Sequence, residues 1–586
     1  MKRYATPFTV RDSVIYDAEG KKVKLWGVNY YTPFNSNFYN IEELGKDHFA
    51  AIDEDIRHFK LMNVDFIRIH LYDREITDRE GNIVENKNMR VFDYLIDQCE
   101  KNGIYLMLTP TVWWNTVNNQ IYQEKYYAYW FIDAQEAFGF SNYYSCDSMI
   151  WDPDAIRCQE TYLNALFFRK STCGGKRLNE YSNLIAFELF NEPIFPCYDW
   201  LKADVDLEKC GMAAATCSRG RQRLKLVSMW RDFLKEHPEV TDDEKGFGVF
   251  RSAVVRKYFE RLWPVVDRYF GKNVIKAQFP SYDGSIPDDL KEMFEKCDID
   301  ALTLSTYLNV NLFDGGNTDA FNHLELAEKW FKPYETLPKG KFARIAYEFD
   351  ACATQNGYPL AAIGAMYAKY DIQLAAYFTY TPYAVAAWNP GWLVHFMNIA
   401  HTPSRAAGFA AAGEIFRHHE PGDPVIMEPE AWHGSDYALE RKNDFVYFKN
   451  DTVFRYSCDN DVELGDVSRL ESVSGRGRSR FAESASNGCY FLERKKEGEW
   501  LLTIFPAQRF LCDPGRGKTY RFMANRYVNC LKEPPVSQLF EKKVDFRMNA
   551  FRIVSCREAE TGEEVPVSQD GAILAEPGSY LLKVRQ

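Results

Sequence analysis

Eight short, mostly apolar runs, each followed by an amphipathic stretch, recur through the first 420 residues, and this alternation restricts the fold more than anything else in the chain. The runs lie at 23–29, 65–70, 104–109, 184–190, 274–278, 299–306, 343–347 and 373–380. Each has the length of one strand and reads as sequence covered on both faces, as in a parallel sheet. Among the intervening stretches, Val91, Leu95 and Cys99 share one helical face and Gly103 suits the C-terminal cap. Asp152-Pro153 suits the start of the helix after the third strand. Eight such units in about four hundred residues predict an α/β fold, a (β/α)8 TIM barrel with insertions rather than a doubly wound sheet. Ahead of the first strand, residues 8–20 alternate and turn like a β-hairpin placed across the bottom of the barrel.

Two connections exceed what a barrel needs. Residues 110–152 are crowded with rings, including Trp113, Trp114, Tyr126, Tyr127, Tyr129 and Trp130, and residues 194–244 are polar and Cys-bearing. Both leave strand C-terminal ends and are expected to overhang the same mouth, narrowing a cleft into a pocket. From about residue 420 the pattern changes to short alternating segments at 445–448, 500–505 and 579–584, with turns rich in Gly, Pro, Asn and Asp. That pattern predicts a C-terminal all-β sandwich region. The expected domains are therefore a catalytic barrel over 1–420 with its N-terminal hairpin, and a β-sandwich region over 421–586. The joint falls at Pro421-Gly-Asp-Pro424, and a softer break near 532–536 would make two small β-domains of the tail.

A net charge of −12 argues against nucleic acid or an anionic membrane as the main partner. The basic cluster Arg476-Gly-Arg-Ser-Arg480 reads as a solvated loop, and no apolar run approaches a membrane span, so no membrane insertion is expected. The N-terminal residues lack the apolar core of a signal peptide, which fits a cytoplasmic protein, or a periplasmic or secreted one whose signal was trimmed. The 14 cysteines include no CxxC pair; Cys99 and Cys352 sit among apolar residues as reduced thiols do, and Cys210 and Cys217 could pair in an oxidising compartment. Oligomeric state leaves no mark in the sequence.

The chemistry concentrates in two glutamates. Glu192 ends the run 184–190 beside Asn191, and Glu348 ends the run 343–347. These are the fourth and seventh strands, whose ends face each other across a barrel mouth, so one sugar could meet both carboxyl groups. Cleaving a glycosidic bond needs a proton for the departing oxygen and negative charge for the oxocarbenium-like centre, which two such groups supply. Glu188 shares strand parity with Glu192 but lies about two residues deeper, in packed space, and reads as structural. His70 points the same way as Arg68 and sits higher, where it can touch substrate. The ten histidines include no HxH or HExxH arrangement, and no phosphate loop, dinucleotide fingerprint or nucleophile elbow occurs. Neither a metal nor a cofactor is expected.

The segment Phe187-Glu-Leu-Phe-Asn-Glu-Pro193 resembles the fourth-strand signature of the clan of retaining glycosidases on (β/α)8 barrels, glycoside hydrolase family 5 most of all. Gly20-Lys-Lys-Val-Lys-Leu-Trp-Gly-Val-Asn29 is similar to that family's entry into strand one, Ile67-Arg-Ile-His70 to the clan's second strand, and Tyr347-Glu348 to its nucleophile strand, so the likeness spans roughly 8–420. The resemblance implies Glu192 as general acid/base, Glu348 as nucleophile and Asn191 on the sugar 2-hydroxyl. It also implies that Arg68 keeps Glu348 ionised and that Tyr307 orients Glu348 through its hydroxyl. An ion pair of Arg68 with Glu188 is compatible with that role. The chain departs from the family in carrying Ser305 where a histidine is usual. In place of the usual eighth-strand Trp, Tyr380, Tyr383 and Trp388 compete; Trp388 is taken as the sugar platform, with Trp113 and Trp114 as further substrate contacts. The implied reaction is hydrolysis of β-linked oligo- or polysaccharides by double displacement, with carboxyls about 5–5.5 Å apart. The competing expectation is a catalytically inactive glycan-binding barrel.

Overall fold

The computed structural model describes residues 3–112, 139–144, 147–201, 220–280, 288–308, 318–332, 340–388, 395–511, 535–540 and 542–585. A hairpin comes first, β1 (Thr9–Arg11) against β2 (Val14–Tyr16). Eight parallel strands then close into a barrel: β3 (Leu25–Asn29), β4 (Phe66–His70), β5 (Tyr105–Thr109), β7 (Leu184–Glu188), β9 (Ile275–Gln278), β10 (Ala301–Leu308), β11 (Ala343–Ala351) and β12 (Leu374–Tyr377). Beyond β5 and β7, β6 (Thr111–Val112) and β8 (Phe190–Asn191) form a short parallel pair above the barrel.

A helix follows every barrel strand, from His48–Leu61 after β3 to Pro403–His418 after β12. Their ends carry the caps that the sequence announces. Asn86 accepts from the Met89 N–H to open Lys87–Asn102, and Gly103 closes it at φ 74°. Asp152 accepts from the Asp154 N–H, with Pro153 in the first turn.

Strand alternation divides the core in two. Leu25, Phe66, Met107, Ile185, Ile345 and Leu374 point inward, and Phe8 and Ile15 of the hairpin region pack beneath them. The opposite parity meets the helices, as where Trp26 lies 4.7 Å from Phe349 and 5.4 Å from Phe409, ring to ring.

β11 runs four residues further than the apolar run suggested, and it contains a bulge. Ala346 pairs with Leu304 and Glu348 with Ser305, so Tyr347 is an extra residue on this strand. The neighbour on the other side repeats the shift, Ala346 pairing with Ala375 and Phe349 with Tyr377. One inserted residue reverses the parity of everything after it.

Past Pro403–His418 the chain builds an 11-stranded sheet, antiparallel except where Val453–Tyr456 runs parallel to Ser472–Gly475. A three-stranded sheet, Ala482–Ser484, Val544–Met548 and Ala572–Ala575, packs on it through Tyr490, Trp500, Phe546 and Ile573. Within the large sheet Glu499–Ile504 pairs with Gly578–Arg585, so strands before and after residues 532–536 lie side by side. Its first strands share the barrel's outer core through Trp432, Leu439 and Phe448.

Asp55 ties the helix His48–Leu61 to the segment after β12. It is fully buried, and accepts from the Tyr30 hydroxyl at 2.6 Å and the Tyr383 N–H at 2.9 Å. Burial outweighs those bonds and pushes its carboxyl up to about 8. Between the ordinary carboxylate range and that value the folded chain keeps a proton that the unfolded chain has lost, so stability falls as pH rises through this window. Asp55→Asn should flatten the fall in Tm between about pH 5 and pH 8, removing up to about 1.4 kcal/mol per pH unit, read from thermal melts of both proteins across the range.

Candidate active site

Asn29, Glu188, Asn191 and Glu348 converge on Arg68. Alternation along β4 turns Phe66, Arg68 and His70 inward and Ile67 and Ile69 outward to the helices. The Arg68 guanidinium is wholly buried. One terminal nitrogen donates to Glu348 Oε1 at 2.9 Å and Asn29 Oδ1 at 3.0 Å; the other donates to Asn191 Oδ1 at 2.8 Å and to Glu188 Oε2.

Glu188 lies at the bottom of this group and is saturated. Besides Arg68 it accepts from Thr303 Oγ1 at 2.6 Å and Thr109 Oγ1 at 3.2 Å, and no part of it is exposed. It is a structural counter-ion, in keeping with its depth in the strand.

Glu348 has more varied company. Its Oε2 accepts from the Tyr307 hydroxyl, its Oε1 from Arg68, and His70 Nε2 stands 3.6 Å from Oε1. Burial first, and the charge of Glu192 second, push its carboxyl up to about 8, against the pull of Arg68 and Tyr307. His70 is held neutral, because burial lowers its pKa well below the usual imidazole value and the Arg68 charge adds to the effect. The Tyr31 ring flanks it, centroids 5.2 Å apart.

Glu192 follows β8 with φ of 47°, a left-handed conformation that few residues other than glycine adopt. It is 6% exposed and accepts from the Tyr347 hydroxyl at 2.6 Å through Oε1. The structure thus brings together Arg68, His70, Asn191, Glu192, Tyr307 and Glu348. Trp113 and Trp114 lie outside the described residues.

Trp388 is half-buried in the turn after β12, where its N–H donates to the Val385 carbonyl at 3.0 Å. The ring that directly follows β12 is Phe378, 5.7 Å from Tyr31 and 6.2 Å from Tyr307. Tyr380, another candidate for that place, is turned into the outer core, its hydroxyl 2.8 Å from His58 Nδ1. Tyr31, Tyr347, Phe378 and His395 are therefore parts of the site that strand reading passed over. Only Tyr347 had a signal, its position immediately before Glu348.

Among the described residues, metal-ligating atoms gather at Asp350, Cys352 and His395, all within 4.8 Å of one another. Asp350 Oδ2 and His395 Nδ1 are 3.0 Å apart, and Asp350 Oδ1 accepts from Arg405, whose buried charge already neutralises it and would repel a cation. Hydrogen bonding accounts for this group. The His395 ring lies 4.6 Å from that of Tyr307 and braces it.

No protein-family model matches the sequence, and no curated protein matches it. Among solved structures, the chain is similar to an endo-β-1,4-mannanase from Thermotoga petrophila (12% identity, TM-score 0.44, covering 83% of this chain and 95% of that one). It is also similar to a glycoside hydrolase family 5 mannosidase from Rhizomucor miehei (11%, TM-score 0.41, 70% and 97%). A third is a β-glucanase from Saccharophagus degradans (12%, TM-score 0.40, 70% and 94%). Likeness of this degree leaves function to the chemistry of the site itself.

Removing the cation strands two buried carboxylates. Arg68→Met should therefore destabilise the fold by about 3–5 kcal/mol, measured as a lower urea midpoint at unchanged m-value.

Proposed function

We propose that this chain is a retaining β-glycoside hydrolase, with Glu348 as nucleophile and Glu192 as general acid/base. The observation that carries the reading is the company of Glu348, a buried carboxyl that accepts from both a guanidinium and a phenol and lies across the mouth from Glu192. Arg68 and Tyr307 both donate to Glu348, while Glu192 has the Tyr347 hydroxyl. Two buried carboxyls that raise one another resist ionising together, so the pair keeps one proton over the neutral range. On this reading the two donors on Glu348 favour its anion, so the proton shared by the pair is assigned to Glu192.

In the first step a Glu348 oxygen forms a bond to the anomeric carbon while the glycosidic C–O bond breaks, its electron pair going to the leaving oxygen. Glu192 gives that oxygen its proton. In the second step Glu192, now a carboxylate, takes a proton from water, and the water oxygen displaces Glu348. Asn191 would meet the sugar 2-hydroxyl, His70 a neighbouring hydroxyl, and the Tyr31 and Phe378 rings would form apolar walls for the pyranose. The barrel over 1–420 is the catalytic domain on this reading, and the β-region over 421–586 packs against its helices. The substrate class is β-linked oligo- or polysaccharide, cut at chain ends or as short oligomers.

Two assays test this on aryl β-glucosides, β-mannosides and β-galactosides. Glu348→Ala should lose about a thousandfold or more in kcat and, with azide, give the α-glycosyl azide, whereas Glu192→Ala with azide should give the β-azide. Proton NMR of the wild-type reaction should show the β-anomer released first. An α-anomer product, or full activity in Glu348→Ala, sinks the reading.

The pH profile of kcat/KM should be a bell. Its alkaline limb marks the point at which the pair gives up its last proton and acid catalysis ends. Tyr307→Phe takes a donor from the Glu348 anion, so it should move the acid limb upward.

A further inference from the structure

Tyr347 is the inserted residue of the β11 bulge, and the insertion has a chemical result. In a regular strand Tyr347 and Glu348 would face opposite sides of the sheet. Here both face the interior. Asn29 Nδ2 donates to the Tyr347 carbonyl at 2.9 Å and fastens the bulge. The Tyr347 ring is wholly buried, edge-to-face with Phe279 at 5.1 Å and 4.6 Å from the Arg68 guanidinium carbon. Ring and backbone are therefore both fixed, and the hydroxyl reaches Glu192 Oε1 at 2.6 Å. Burial, then the charges of Glu192 and Glu348, raise the phenol well above its usual pKa, so it stays a donor at any working pH.

We propose that Tyr347 is a positioning residue for Glu192, whose hydroxyl marks Oε1 as the unprotonated oxygen and so leaves the acidic proton on Oε2. The proposal rests on the reading of Glu192 as acid/base. A carboxylic acid donates from one oxygen only, and an oxygen that accepts a short bond from an un-ionised phenol is the one without the proton. When Oε2–H breaks and its proton forms the O–H of the leaving alcohol, the bonding pair stays on Glu192. The Tyr347 bond then becomes charge-assisted and strengthens, just as the glycosyl-enzyme forms. In the second step it holds the same carboxylate in place while Oε2 takes a proton from water.

Tyr347→Phe tests this, since it keeps the ring against Phe279 and Arg68 and removes only the donor. The Glu192 anion should become less stable, so the alkaline limb of kcat/KM should rise by about one pH unit. Activity should fall about tenfold more on alkyl glycosides, which need the proton, than on dinitrophenyl glycosides, which do not. Tyr347→3,5-difluorotyrosine, a stronger donor, should move the limb the other way. Equal losses on both leaving groups with an unmoved limb would overturn the proposal and leave Tyr347 a packing residue. A 13C NMR titration of the Glu192 carboxyl reads the same upward shift in Tyr347→Phe without substrate, and an unmoved titration overturns the proposal by itself. Inertness of the wild type toward every glycoside overturns the hydrolase reading instead, and the NMR comparison still decides the Tyr347–Glu192 linkage.

Discussion

One buried guanidinium organises the mouth of this barrel. Arg68 reaches Asn29 on β3, Glu188 on β7, Asn191 on β8 and Glu348 on β11 while itself standing on β4. A cation so far from water is tolerable only with its donors occupied, and of its nitrogens Nε alone has no hydrogen-bond partner among the described residues. Sharing matters as much as pairing. Glu188 takes part of the Arg68 charge and adds its own, and both effects keep Glu348 higher than a private ion pair would. The cluster of one cation and two carboxylates is already negative, so the next carboxyl, Glu192, meets resistance to ionising.

The barrel and its main cluster were legible because both follow from local periodicity. Eight apolar runs gave the eight strands to within a few residues, and parity along β4 and β7 put Arg68 and Glu188 inside together. What parity could not supply was the β11 bulge. Nothing in Ala343-Arg-Ile-Ala-Tyr-Glu348 marks Tyr347 as an extra residue. The bulge depends on Asn29, 318 positions earlier, whose amide holds the Tyr347 carbonyl. A feature stabilised across the barrel leaves no local trace. The eighth-strand ring is hard to read locally for a related reason: Tyr380, Tyr383 and Trp388 lie within ten positions, and Phe378, the ring that the structure sets beside Tyr31 and Tyr307, falls inside the strand run.

The C-terminal region shows the same limit at larger scale. Alternation and turn chemistry marked its strands, but the pairing of residues 499–504 with 578–585 joins segments with a whole further strand set between them. Its attachment to the barrel also uses long-range contacts. Asp444 accepts from the Gly357 and Tyr358 N–H groups at 2.7 and 2.9 Å, supplying the start of the helix Tyr358–Lys369 with the acceptor that Gly357 lacks. A tail residue thus completes a barrel helix, and the two regions share one folding problem.

Two glutamates of the same chain become different reagents only through their neighbours. Glu348 receives a guanidinium and a phenol, the company of an anion. Glu192 receives a phenol, and that phenol belongs to the residue next to Glu348. Without the bulge Tyr347 and Glu348 would face opposite sides of the sheet, and with Ala343, Ile345 and Tyr347 inward Glu348 would turn away from the mouth. A single inserted residue therefore lets Tyr347 and Glu348 both face the mouth, the first with its hydroxyl on Glu192 and the second on Arg68 and Tyr307. The strand that leads to Glu192 has a register shift of its own, Leu106 pairing with Leu184 and Met107 with Ala186. It leaves the barrel at Glu188, restarts at Phe190 and turns left-handed at Glu192, so its carboxyl approaches Tyr347 from across the mouth. Glu192 is thus tied to the strand that carries Glu348 through one side chain of β11, Tyr347.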